Sequence, residues 1–107
     1  MRKVTKNAVN AFHKGQTFKS GNTAVEFQAM TRDGQYPKGN YFVVLKLHGN
    51  EIARKDSATG LIEINNCGWE TNTTKERLNG LGAGISQSNF TWYKDGEVFP
   101  SNEWVKL

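Results

Sequence analysis

The stretch YFVVLKLHGNEIARKDSATGLIEIN, residues 41–65, constrains the fold more than any other part of the chain. Phe42 to Leu45 is apolar on both faces of an extended chain, the pattern of a central strand, and Gly49-Asn50 between Leu47 and Ile52 is a two-residue hairpin signal. SATG separates EIARKD from LIEIN in the same manner, so three strands are expected in an antiparallel meander. Upstream, Val25, Phe27 and Ala29 alternate with Glu26 and Gln28 within residues 23–31, which marks a half-buried strand. RDGQYPKGN supplies the turn residues of a wide hairpin loop between that strand and the central one.

Two short helices bracket these strands. In TKNAVNAFHKG, Thr5 can cap a helix, Ala8, Val9 and Phe12 fall on one side at 3.6-residue spacing, and Gly15 can adopt the left-handed conformation that ends it. The opposite side carries Lys6, Asn10 and Lys14. Thr73-Thr74-Lys75-Glu76 matches a capping box, with Leu78 and Leu81 on an apolar edge and Gly80, Gly82 and Gly84 stopping the second helix early. GISQSNFTWYKDGEVF offers two more short strands around an Asp95-Gly96 turn, and Trp104 in NEWVKL is expected on the sheet edge. The predicted class is α+β: one domain over residues 1–107, an antiparallel sheet of about five to six strands and two short helices, in the order α-β-β-β-β-α-β-β.

With 107 residues, 36% of them hydrophobic and 11% aromatic, the core must lean on large rings. Cys67 is the only cysteine, and neither it nor His13 and His48 stands in a zinc-ligand spacing, so no disulfide, metal or cofactor is expected. No apolar run is long enough to span a bilayer, and MRKVTKNAVNAF lacks the apolar core of a signal peptide. The expectation is a cytoplasmic protein with no membrane partner.

Charge is uneven. Arg2, Lys3, Lys6, Lys14 and Lys19 precede the first acid, Glu26, which leaves 9 of the 14 bases against all 10 acids in the remainder. Arg2, Lys3, Lys6 and Lys14 are therefore candidate phosphate contacts. A second candidate region is NNCGWETNTTKERLNGLG, residues 65–82. Lys75 and Arg77 there can meet phosphate, but Glu70 and Glu76 offset them, and solvated helix charge is the simpler role. Trp69 is a candidate stacking platform or partner anchor, against the expectation that a small domain buries its tryptophans. Cys67 reads as a small buried thiol, since nothing in the sequence sets a base beside it.

VNAFHKGQTFKSGNTAVEF, LKLHGNEIARKD and NNCGWETNTTKERLNGL together resemble a family of small proteins and domains encoded by bacteriophages. In that family a short helix, an SGNT turn, an LHGN.IA hairpin and a GW.T.TTKERLN segment occur in this order. The resemblance spans most of residues 4–82, with WYKDGEVF similar to the closing hairpin, and this chain departs from it in the longer loop TRDGQYPKGN. It implies a protein acting in an infected bacterium and carries no catalytic residues.

Three functional readings follow. The first is a small non-catalytic binding protein, a phage accessory factor that engages a host protein or nucleic acid. The second is a minor structural or self-associating virion protein, which open sheet edges permit. An enzyme is the least supported: no nucleophile with a base, carboxylate pair or phosphate loop is spaced for chemistry, and GLGAG at 80–84 follows a helix and lacks a Lys-Ser/Thr pair.

Overall fold

The computed structural model describes residues 2–29 and 41–107, so the wide loop expected over residues 32–40 lies outside the described residues. Helix α1 spans Lys3–Lys14 and ends at Gly15, whose φ of 69° is the left-handed cap expected of it. Ala8, Val9 and Phe12 are buried together, as their helical spacing requires.

Five strands follow, β1 (Phe18–Ser20), β2 (Thr23–Ala29), β3 (Tyr41–Leu47), β4 (Asn50–Asp56) and β5 (Ile62–Ile64). After them come helix α2 (Asn72–Gly80) and strands β6 (Ser86–Ser88), β7 (Thr91–Lys94), β8 (Glu97–Val98) and β9 (Val105–Lys106). All pairs are antiparallel, in a six-stranded sheet ordered β1-β2-β3-β4-β5-β9 and a three-stranded sheet ordered β6-β7-β8. The α+β class and the antiparallel arrangement hold. Two details differ from expectation. A three-residue β1, too short to show alternation, hairpins onto β2 through Gly21-Asn22, and the closing strands form a sheet of their own.

Val43, Leu45 and Leu47 on β3, Ile52 on β4 and Ile64 on β5 form one core with Phe12 of α1, Leu78 of α2, and Trp92 and Phe99 of the closing segment. That shared core ties the small sheet to the large one. On the opposite face Val44 is also buried, and the Arg54 guanidinium lies 5.2 Å from the centre of the Phe42 ring and 4.0 Å from that of Trp104. Trp104 thus sits at the edge expected of it, leading into β9, which pairs with β5.

Three local boundaries shift. Leu47 pairs with Asn50, so the β3–β4 turn is His48-Gly49, with φ of 52° and 80°, one residue earlier than the Gly49-Asn50 turn expected. A bulge between Leu45 and Lys46 accounts for the shift in register. Helix α2 is capped by Thr71, whose hydroxyl accepts from the Thr74 N–H at 3.1 Å, and not by Thr73. Thr5 does not cap α1 either: Arg2 precedes the helix, and Thr5 is a buried residue inside its first turns. Both capping expectations fail for one reason. Glu76, assigned by the box pattern to the start of its own helix, reaches α1 instead, where its carboxylate accepts from the Arg2 backbone N–H at 3.3 Å and the Thr5 hydroxyl at 2.6 Å. The free N–H groups of a helix start and its dipole favour a carboxylate there, and α1 has no acid of its own in its first turn.

Candidate functional site

The segment Asn65–Thr71 connects β5 to α2 and is folded by its own amides. Asn65 accepts from the Cys67 N–H at 2.7 Å and Asn66 from the Gly68 N–H at 2.9 Å, each through its side-chain oxygen. Cys67 and Gly68 then take left-handed conformations, φ 56° and 79°, and the Cys67 thiol donates to the Glu51 carbonyl at 3.1 Å. Cys67 is half-buried as a packing residue, and burial, followed by the Glu51 charge, pushes its thiol above its usual range.

The double left-handed turn throws Trp69 outward. Its side chain is 60% exposed, which corrects the expectation that it fills the core. The ring borders a pocket of about 460 Å³ lined by Leu47, Ile52 and Asn66, by His48 and Asn50 of the β3–β4 hairpin, by the capping residue Thr71, and by Thr73 and Thr74 of α2. Two of the stretches that carry the family resemblance, LHGNxIA and GWxTxTTKERLN, therefore meet in one place.

Among the described residues the lining holds no Asp, Glu, Lys or Arg. His48 lies 3.2 Å from Asn22 through Nε2, and because the Asn22 oxygen accepts from the Thr23 hydroxyl, its Nδ2 donates to the ring. Asn66 is fully buried. Its oxygen accepts a second bond, from the Asn102 N–H at 2.8 Å, while its Nδ2 has no partner among the described residues. A rigid aromatic plate, hydroxyls, amides and a neutral wall can hold a flat or apolar group with a few hydrogen-bonding atoms, such as a side chain of a peptide segment.

The cationic candidates do not gather here. Arg77, expected as a solvated charge or phosphate contact, is 2% exposed. Its guanidinium donates to Thr5, to Glu76, and to the Thr23 hydroxyl at 3.2 and 3.3 Å. Arg2 pairs with Glu76 at 3.2 Å, and Lys75 donates to Gln87 at 2.9 Å. The Thr5 hydroxyl, with smaller help from the Arg2 backbone and side chain, holds the Glu76 carboxyl down at about 2, although partial burial opposes them. Lys3, Lys6 and Lys14 are exposed and make no ion pair among the described residues. Lys6 and Lys14 stand about 12 Å apart along the helix axis at 1.5 Å per residue.

Sequence reasoning singled out Trp69 and missed His48, Asn50, Asn66 and Thr71. The Asn-Asn pair two residues ahead of Gly68 was the available signal, since adjacent Asn residues before a glycine favour side-chain-closed turns.

The fold and site define a small α+β protein with a neutral, tryptophan-rimmed pocket at the start of its second helix. Its sequence matches the model of the Kyanoviridae Gp96 protein family over residues 1–106, and the chain belongs to that family of phage-encoded proteins. No curated protein and no solved structure matches it. Among the described residues no helix is long and apolar enough to cross a membrane.

Proposed function

We propose that this is a non-catalytic binding protein, a phage accessory factor that engages a host protein in the cytoplasm of the infected cell through the Trp69 pocket. The observation that carries this reading is the exposure of Trp69 above a pocket with neutral walls. A tryptophan left in water loses most of the stabilisation its burial would give, and tryptophan is prominent among the residues that dominate binding at protein interfaces. Among the described residues the lining sets no carboxylate beside His48, which favours binding over proton-transfer chemistry.

Nucleic acid is the second reading, favoured by Lys3, Lys6 and Lys14 on the exposed side of α1. It is the weaker one, because Arg2 is paired with Glu76, Lys75 is held by Gln87 and Arg77 is buried, which leaves Lys3, Lys6 and Lys14 as the candidate cations with no ion pair among the described residues. Capture from host lysate with and without nuclease separates the two. A host protein retained after nuclease, at a yield little changed by salt, supports the pocket reading. Capture that vanishes with nuclease, falls steeply with salt and is abolished by the Lys6→Glu/Lys14→Glu double variant supports nucleic acid instead.

A further inference from the structure

The small sheet contains two hairpin turns of the same shape and unlike composition. Lys94 pairs with Glu97 across Asp95-Gly96, at φ 54° and 81°, the composition such a turn prefers. Ser88 pairs with Thr91 across Asn89-Phe90, at φ 50° and 64°. Phenylalanine thus occupies the position where glycine is free of strain, because a side chain in the left-handed region crowds its own backbone. Nor does the ring compensate by packing. Phe90 is 91% exposed, more than any other large apolar side chain among the described residues.

The surroundings narrow the partner. No charged residue occurs between Arg77 and Lys94, a run of 16 residues in a chain of which 22% is charged. The strand leading into the turn, Ser86–Ser88, is exposed and neutral, and the cation that reaches it, Lys75, is held by Gln87. A bulky aromatic ring on a hairpin whose residues 86–93 carry no charge, with Lys75 held against it, has the composition of an interface centre, where charge is depleted and rings fill pockets. Among the described residues that surface supplies a single cation, Lys75, where a phosphate backbone or an anionic bilayer is met by several.

We propose that Phe90 is an insertion anchor that seats in an apolar pocket of a folded protein partner, with Ser86, Ser88 and Asn89 as its neutral rim. This contact stands apart from the Trp69 pocket, and either can fail without the other. The arrangement sets stability against binding: the residue that would relax the turn is the one that removes the anchor.

Phe90→Gly tests the first half. Its denaturation midpoint should equal or exceed that of the parent chain, and a clearly lower midpoint would make the ring part of the fold and overturn the proposal. The second half uses the photo-crosslinker p-benzoylphenylalanine, placed at position 90 in one chain and at exposed Leu61 in another, both produced in host cells. The expected result is one discrete protein adduct from position 90 and not from 61, mapped to apolar residues of the partner. Excess parent chain should suppress it at least tenfold more effectively than the Phe90→Gly chain. Equal suppression by the two chains, the same adducts from both positions, adducts only to nucleic acid or lipid, adducts to a second copy of this chain, or no adduct at all would each contradict it.

Discussion

Two polar clusters draw on helix α2 and are built in opposite ways. Around Arg77 the cluster is sealed: the guanidinium, the Glu76 carboxylate and the hydroxyls of Thr5 and Thr23 satisfy one another, with Arg77 2% exposed. They join α1, β2 and α2, and Arg2 closes the outer side. Around Asn66 the cluster is open. Trp69 stands 60% exposed beside it, and among the described residues Asn66 keeps a buried NH₂ without a partner and no ion pair crosses the lining. The contrast separates two uses of polar side chains in a small domain. Those that satisfy each other fix how the helices sit on the sheet, and those left incomplete beside an exposed ring are the ones the proposed binding role would use.

Removing the centre of the sealed cluster should have the largest effect. Arg77→Met leaves Thr5, Thr23 and Glu76 without their common donor and should cost about 3 kcal/mol, as loss of one partner of a buried ion pair does, measured by denaturant titration. A cost below about 1 kcal/mol would place Arg77 among ordinary surface charges. Acid attacks the same cluster through Glu76. Its folded carboxyl is held at about 2, below the 4.5 it has when free, so its contribution is complete above pH 4.5 and is lost as pH falls toward 2. Glu76→Gln should therefore be less stable than the parent at neutral pH and should flatten the fall in stability between pH 4.5 and 2. An unchanged acid profile would dissociate Glu76 from the cluster.

At the border between the clusters the effects become smaller. Thr71→Ala should cost about 1 kcal/mol because it removes the hydroxyl that caps α2. Thr73→Ala, on the pocket wall, should stay within about 0.5 kcal/mol of the parent. Equal losses at the two threonines would mean that the helix starts elsewhere.

Helix α1 was legible because Ala8, Val9 and Phe12 repeat with the helix and Gly15 ends it, and β3 because its apolar run is bounded by a turn. Asp95-Gly96 announces its hairpin, whereas Asn89-Phe90 makes the same turn with a residue that announces nothing. Two threonine patterns overlap at the start of α2, and choosing between them depends on where Glu76 goes. That is set by Thr5, 71 positions away in the chain, which local spacing cannot report. Trp69 was visible as a candidate, but its outward placement depends on consecutive left-handed residues at Cys67 and Gly68, and a cysteine there gives little warning. Arg77 was misplaced for the complementary reason: charged side chains are seldom buried without partners, and its partners Thr5 and Thr23 lie in distant segments.

The most direct test of the difference between the clusters is Trp69→Ala, compared with the parent in denaturant titration and in capture of the nuclease-resistant host protein. If the Trp69 pocket is the open binding site, the variant unfolds within about 1 kcal/mol of the parent, as a mostly exposed side chain should, while capture falls at least tenfold. A variant destabilised by about 3 kcal/mol or more, the loss typical of a buried ring, or one that captures its partner as well as the parent does, would contradict that assignment.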